Sequence, residues 1–559
     1  MSATQRHGGQ LLVECLVNLG ARKAFGVPGE SYLAVLDAMH DTAGAFDFVL
    51  CRNEGGAGFM AAAWGKLTGQ PGICLVTRGP GVTNASIGIH TAMQDSVPML
   101  VFVGQVATDM KGREAFQEID YKAVFGSMAK WAVEIDQTDR IPEIVGRAWT
   151  VATSGRPGPV VVALPEDVLS QVTDIPALAG PARIAAPAVN IAAENDARDL
   201  LEAAKRPLIL FGGSNWSDEG RAALQTFAEE NQIPAVGVFR YIDQFDNHSE
   251  AFAGHAGVGM WPSTAKLIRE ADVILGIGVR FGENSTGGYS LLQVPTPRQT
   301  LIHVHASDAE LGKIYQPALG IHADPSDFAM TMVEGGPLDR RDDGWFRKAR
   351  VAYKAGFDLP PQPSPVDMTQ VIAHLQKVLP KDAVLTNGAG NFAIWPGYFF
   401  RYGAGQRLLA PQSGAMGYGL PAAIAAKIAH PDRTVVCFAG DGDFQMTLQE
   451  LATAAQAGAQ PIVLILNNGI YGTIRAHQER HYPGRVSGTD MVSPDFVALA
   501  KAYGYYAQRV ERTEDFADAF AAAQASTTGA VLDLDISAEA ISPRATLSSL
   551  RETARQSSN

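Results

Sequence analysis

The chain has only four cysteines in 559 residues, and none belongs to a CxxC pair. That spacing supports neither a disulfide framework nor a thiolate metal site. Cys15, Cys51, Cys74 and Cys437, each within an apolar segment, read as buried, reduced thiols of a cytoplasmic protein. Positive charge is also scarce: 45 Lys and Arg stand against 58 Asp and Glu, a net charge of −13, with no basic cluster interleaved with aromatics. A nucleic-acid partner is therefore not expected. No apolar run approaches the ~20 residues that span a bilayer, and MSATQRHGGQLLVECL lacks the basic-then-apolar order of a secretory signal, so no membrane partner is expected either. What the chain does hold is 46% hydrophobic and 18% charged residues with 57 glycines, the balance of a well-buried α/β protein rich in tight turns.

The length exceeds one ordinary core. Two Pro-rich or polar stretches, Leu169 to Asn190 and Gly335 to Asp367, read as linkers and divide the chain into domains 1–170, 190–335 and 366–540, with a polar tail over 541–559. The first domain alternates helical segments such as GQLLVECLVNLG with the apolar runs GICLVT, PMLVFVG and GPVVVALP, and the middle one carries LILFGG, ADVILGIG and TLIHVH. Short runs that are apolar throughout belong to strands covered on both faces, so the expected fold class is α/β: three domains with mainly parallel sheets.

The segment from Thr434 to Asn468, TVVCFAGDGDFQMTLQELATAAQAGAQPIVLILNN, reads as a complete strand, turn, crossover helix and strand. Ligands of such a sheet sit beyond the carboxyl ends of the strands, and those ends carry Asp441 and Asn468. A carboxylate and an amide oxygen, with room for phosphate oxygens and water, suit magnesium rather than zinc. Gly440 and Gly442 are expected to let the backbone turn tightly and approach a phosphate. Taken singly, GDG is an ordinary turn and NN an ordinary loop start.

Together, GDG followed by NN at this distance resembles the binding motif of thiamine diphosphate enzymes. The resemblance implies that Asp441, Asn468 and the carbonyl of Ile470 hold Mg2+ against the diphosphate. It further implies that Gly440, Gly442 and Asp443 of the turn, with Tyr471, Gly472 and Thr473, line the phosphates. Cys51 to Val106 is similar to the first domain of acetolactate synthases. Its Glu54 matches the family glutamate that hydrogen-bonds the cofactor's aminopyrimidine and so activates it; by position alone Glu54 is a favourable charge in the first turn of a helix. In SGAMGYGLPAA, Met416 matches the hydrophobe that bends the cofactor, beside Gly414. Gly390, Asn391 and Phe392 match the family's diphosphate-side Gly-Gln-His, from which Asn391 and Phe392 depart. The three blocks then correspond to pyrimidine-binding, middle Rossmann-like and diphosphate-binding domains.

For the reaction, GREAFQEID looks like the acetolactate synthase loop that approaches the cofactor from a partner subunit, with Phe116 and Gln117 as its reactive-site residues. Family decarboxylases carry a His pair near this loop or a His where Thr77 stands, and neither is present. The resemblance thus implies a carboligase joining a small 2-oxo acid such as pyruvate to a second carbonyl compound, in a homo-oligomer, dimer or tetramer, with shared sites. A 2-oxo acid decarboxylase, a 2-hydroxyacyl-CoA lyase and a noncatalytic binding relative are the alternatives. His477 replaces a Trp that shapes the acceptor pocket and is a further catalytic candidate; Glu166 replaces a Lys near the entrance. In the middle domain, Arg156, Gly212, Gly213, Arg280 and Asp324 fall where FAD-containing synthases contact flavin. GVRFGEN departs from the family's RFDDR, and His305 stands in place of an Asp. FAD, an ADP-like ligand and an empty domain all remain open.

Overall fold

The computed structural model describes residues 5–214, 216–339 and 344–557. Its core is three six-stranded sheets, each parallel throughout. The first runs Asp47–Leu50, Lys23–Gly26, Gly72–Val76, Met99–Gln105, Pro159–Pro165, Trp131–Glu134 across its width. The third runs Arg407–Leu409, Val384–Asn387, Val435–Gly440, Ile462–Asn467, Ala530–Asp535, Tyr506–Val510. With strands numbered in chain order within each domain, both have the order 2-1-3-4-6-5. That duplication of topology leaves no repeat legible in the sequence. The middle sheet, Phe252–Ala256, Ala235–Val238, Pro207–Phe211, Val273–Ile277, Thr300–His305, Leu319–His322, has the order 3-2-1-4-5-6 of dinucleotide-binding domains.

These strands form because their apolar runs lose water on both faces. Phe438, Leu464 and Leu532 are fully buried, each worth about 1.5–3 kcal/mol. All four cysteines are free and buried. Among the described residues no helix is long and apolar enough to cross a membrane.

Two helices of the first domain set the position of Glu54. Helix Glu54–Thr68 starts where Asn53 Oδ1 accepts from Gly55 N at 2.8 Å, and it stops at Gly69, whose φ of 71° suits glycine. It crosses helix Gly79–Asp95 at Gly58 and Gly88, where a Cβ on Gly88 would overlap the Gly58 backbone. A Cβ on Gly81 would stand 3.3 Å from Glu54 Oε1.

The polar segment after residue 541 includes a helix, Leu547–Ser557, which packs on helix Gly472–His481. Arg551 Nη2 and Nε meet the buried Glu479 carboxylate at 2.6 and 2.9 Å.

Candidate active site

The carboxyl ends of Val384–Asn387 and Val435–Gly440, where the strand order of the third sheet reverses, open into a pocket of about 820 Å³. Gly390, Asn391, Phe392, Gly414, Met416, Gly440, Asp441, Gly442, Asp443, Asn468, Ile470, Tyr471, Gly472 and Thr473 all line it. Asp441 is buried; Oδ1 accepts from Gly442 N at 3.0 Å, and Oδ2 from Gly469 N at 2.8 Å and Ser493 Oγ at 3.1 Å. Burial raises its carboxyl above the usual range, against those three hydrogen bonds. A bound cation would reverse that effect. Asn468 Oδ1 accepts from Ile470 N at 3.2 Å, which fixes the amide at the strand end. Among the described residues no three His, Cys, Asp or Glu side chains are grouped to hold a metal, so a cation here must draw on amide, carbonyl and ligand oxygens. That donor set fits Mg2+ and a diphosphate together.

Asp443 holds two walls of the pocket in place. Its Oδ1 accepts from Ala389 N at 3.0 Å and Gly417 N at 2.9 Å, while Thr447 Oγ1 donates to Gly417 O at 2.7 Å. The loop that carries Met416 is thereby pinned. Burial pushes the Asp443 carboxyl up to about 7.

The glycines of the GDG turn serve a different need from the one their sequence suggests. Gly440 has a φ of −79°, and Gly442 is not left-handed either. They are small because Cβ atoms there would press on Phe392 and Tyr471, at 2.9 and 2.7 Å. Phe392 fills the space beneath Gly390 and Gly440, and Asn391 Nδ2 donates to Ile541 O at 3.2 Å. The two departures from Gly-Gln-His thus present an apolar ring and an amide whose N–H already has a partner.

Ala389, Trp395, Leu466, Ile474, Ile536 and Ala540 also line the pocket. None was legible in sequence, since an apolar side chain in a pocket looks like any core residue. Ser493 arrives from a distant loop with no pattern of its own. His477, read as catalytic, does not line the pocket. It is exposed on helix Gly472–His481, whose buried positions are Gly472, Arg475, Ala476 and Glu479, and its ring stacks on His481 at 6.2 Å.

Glu54, Phe116 and Gln117 form a second group, at the carboxyl ends of the first sheet. Asn84 Nδ2 donates to Glu54 Oε2 at 3.0 Å, and Gly79 N donates to Gln117 O at 3.0 Å. Gln117 has a φ of 66°, and Phe116 is 70% exposed. Glu166 forms an ion pair with Arg78, whose Nη1 also donates to Phe116 O at 3.4 Å. None of these side chains lines the Asp441 pocket. Within one chain the two groups stay apart.

A buried carboxylate of the third domain supports the Glu54 helix from behind. Glu450, fully buried, accepts from Asn53 N at 2.9 Å, Arg52 N at 3.2 Å and Thr453 Oγ1 at 2.6 Å. Desolvation raises its carboxyl. Its contribution to stability is therefore full at low pH and is lost as pH rises through the raised value. Glu450→Gln keeps an acceptor for the two backbone donors and can donate to Thr453, whose hydroxyl also reaches Leu50 O at 3.2 Å. This variant should match or exceed the wild type in urea midpoint at pH 8. Glu450→Ala strands buried donors at about 1–3 kcal/mol each and should unfold at lower urea.

The middle sheet reverses between Pro207–Phe211 and Val273–Ile277, beside a pocket of about 490 Å³ lined by Arg156, Gly213, Arg280 and His305. Both arginines are already engaged. Arg156 Nη1 lies 3.1 Å from Glu310, its Nε donates to Ser96 Oγ at 2.8 Å, and Arg280 Nη1 donates to Gln94 O at 2.7 Å. Gly212 abuts Val238, and Ser214 Oγ donates to Ser96 O. Asp324 does not line this pocket; it caps helix Pro325–Glu334, accepting from Ser326 N at 2.8 Å. Glu310 thus already supplies both arginines with a carboxylate partner.

Residues 6–124, 195–332 and 388–534 match the N-terminal TPP binding, central and C-terminal TPP binding domains of thiamine pyrophosphate enzymes. The chain is 32% identical to the mitochondrial acetolactate synthase catalytic subunit of Saccharomyces cerevisiae, over 94% of this chain and 80% of that protein. It is 33% identical to the acetolactate synthase isozyme 3 large subunit of Escherichia coli, over 89% and 88%. The same identity holds to the large subunit from Lactococcus lactis, over 91% and 89%. With its three matched domains and relatives aligned along nearly its whole length, the chain belongs to the thiamine pyrophosphate enzyme family, among the acetolactate synthases and their kin.

Proposed function

We propose that the protein is a thiamine diphosphate- and Mg2+-dependent carboligase that decarboxylates pyruvate or another small 2-oxo acid and joins the remaining acyl unit to a second carbonyl compound. The observation that carries this reading is the single pocket in which Asp441, Asn468 and Ile470 lie with Met416, in a chain whose relatives are acetolactate synthases. When bound, the cofactor supplies the electron sink for loss of CO2. Asp441, Asn468 and the Ile470 carbonyl would hold the metal, and Met416 would support the cofactor from below. Glu54 would hydrogen-bond the aminopyrimidine. With a 2-oxo acid as acceptor, the donor loses CO2, a new bond joins the two former carbonyl carbons, and the acceptor oxygen takes up one proton. A 2-hydroxy-3-oxo acid results.

Because Glu54 and Phe116 do not line the pocket of their own chain, the reading requires a homo-oligomer in which the first domain of one copy faces the third domain of another. The exposed Phe116 ring suits such a contact. The middle domain carries no flavin in this reading, and the protein works in the cytoplasm.

The test is to incubate the protein with Mg2+ and thiamine diphosphate and a panel of 2-oxo acids, singly and in pairs, with products identified by mass spectrometry. The expected products are 2-hydroxy-3-oxo acids, from a preparation without a flavin absorption band. Aldehyde alone, or cleavage of a 2-hydroxyacyl thioester with pyruvate ignored, would overturn the reading.

A further inference from the structure

Another cavity, of about 980 Å³, lies among helix Trp345–Ala355, helix Met368–Val378 and the π-helical turn Trp395–Phe399. Trp395 lines both this cavity and the cofactor pocket, and so is a wall common to the two. Turns of π-helix are frequent at functional sites. Both helices fall in sequence between the matched central and C-terminal domains, outside the segments that carry the cofactor motifs.

Much of its lining is aromatic. Tyr353, Trp395 and Phe399 are buried and Phe357 is half-buried. Their rings run on from one another: Tyr353 meets Phe357 edge-on at 5.2 Å, Phe357 meets Phe399 edge-on at 6.0 Å, and Phe399 meets Trp395 at 5.3 Å. A ring that faces a cavity forgoes packing contacts on that side, and a flat apolar occupant restores them at the spacings aromatic pairs prefer.

The charge of the lining has one sign. Arg350, Lys354 and Arg401 all line the cavity, and among the described residues no Asp or Glu does. Arg350 is buried and its Nη groups donate to neutral backbone carbonyls, those of Asn247 and Phe252 at 3.2 and 2.9 Å and of His248 at 2.8 Å. Glu250, outside the lining, is shared by Lys354 at 2.8 Å and Arg350 at 3.6 Å. Exposed Asp358, next to Phe357, does not line the cavity either. Arg401 is held by its backbone, whose N–H donates to Gln376 Oε1 at 2.8 Å and whose carbonyl accepts from Gln376 Nε2 at 2.9 Å. Among the described residues its guanidinium makes no hydrogen bond or ion pair, and it lies over the Phe357 ring at 5.6 Å. Three cations share one carboxylate, and the cation without it stands beside the aromatic surface.

We propose that this cavity is a regulatory site for a small aryl monocarboxylate, whose ring lies against Phe357, Phe399 and Trp395 and whose carboxylate meets Arg401, and that its occupancy is transmitted to the cofactor pocket through Trp395. The lining decides between ligand classes. An amino acid brings an ammonium group, for which the cavity has no acidic partner and which its three cations repel. A neutral arene leaves the Arg401 guanidinium without an anion. A ring with one carboxylate and no ammonium satisfies both the aromatic and the cationic part. Because the two cavities share a wall, the coupling is reciprocal: whatever factor the arene carboxylate imposes on thiamine diphosphate affinity, the cofactor imposes in return. The site does not depend on which 2-oxo acids react, and only its transmission rests on thiamine diphosphate filling the Asp441 pocket.

The experiment has two arms. In the first, the full chain with Mg2+ and thiamine diphosphate is titrated by calorimetry with three probes of one skeleton: 3-phenylpropionate, uncharged 3-phenylpropanol and zwitterionic phenylalanine. 3-Phenylpropionate is expected to bind, and the other two at least about 10-fold more weakly. Arg401→Met should weaken 3-phenylpropionate about 10- to 100-fold, as expected for loss of a charge-assisted hydrogen bond, and Arg401→Lys should restore part of it. Ala373, exposed on helix Met368–Val378, also lines the cavity, and Ala373→Trp should fill it and abolish binding with an unchanged urea midpoint. In the second arm, thiamine diphosphate is titrated into the chain with and without saturating 3-phenylpropionate. Its dissociation constant should change about 5-fold or more in wild type and stay constant in Ala373→Trp. 3-Phenylpropionate that fails to bind, binds no better than phenylalanine, or binds wild type and Ala373→Trp equally overturns the site. Binding that leaves cofactor affinity unchanged overturns the transmission. Neither arm reads turnover, so failure of the carboligase reading is distinguishable from failure of this one.

Discussion

Glu54→Gln is expected to lower turnover at saturating cofactor by about 10²–10⁴-fold, the usual range for a group that assists proton transfer. The substitution keeps size and helix position. Asn84 Nδ2 donates to the Glu54 carboxyl at 3.0 Å, and a glutamine can still accept that bond through its carbonyl oxygen. The Asn53 cap and the Gly58–Gly88 crossing do not involve the changed group. Folding should therefore be unaffected, and the affinity for thiamine diphosphate, governed largely by the Asp441 pocket, should fall much less than turnover. Steady-state rates across a cofactor titration separate the two quantities. A variant that regains wild-type turnover simply with more cofactor would remove Glu54 from the chemistry and leave it a helix-terminal charge.

The second large effect is expected at Asp441. Asp441→Asn keeps an oxygen to accept from backbone N–H donors but removes the charge that a hard cation requires. Metal affinity should fall at least roughly 10²-fold, more than is usual for partners that only orient a ligand. Thermal unfolding reads this directly. Thiamine diphosphate with Mg2+ at about 100 times the dissociation constant should stabilise the wild type by about 2.7 kcal/mol, and the same concentrations should leave Asp441→Asn nearly unshifted. An equal shift in both proteins would mean that the cofactor is held elsewhere.

That Asp441, Asn468 and Ile470 line one pocket was readable because they come from one continuous strand–turn–helix–strand segment and the loop that follows it. Asp441 and Asn468 terminate strands that pair directly, so a linear pattern maps onto a point in space. Fold class followed from runs that are apolar throughout, which can only be covered on both faces. Contacts between segments distant in sequence were not readable. Ser493 reaches Asp441, and Glu450 reaches the amides before Glu54, from positions that carry no periodic or motif signal. Arg156 and Arg280 match a pattern of ligand contacts, and the carboxylate that stands beside both, Glu310, comes from a segment that the pattern does not announce. His477 was assigned from its neighbours in sequence, whereas helical phase decides which of them look inward.

The helix Leu547–Ser557 is tied to the element that borders the pocket. Its Arg551 neutralises Glu479, which is wholly buried on the helix whose first turn, Gly472 and Thr473, borders the pocket, and Ile541 O just upstream fixes the Asn391 amide on the opposite wall. Release of this segment would take away the guanidinium paired with Glu479 and free the Asn391 amide. With thiamine diphosphate bound in this pocket as proposed, removing residues 547–557 is expected to weaken its binding, read by a cofactor titration, while leaving every pocket-lining residue in the chain.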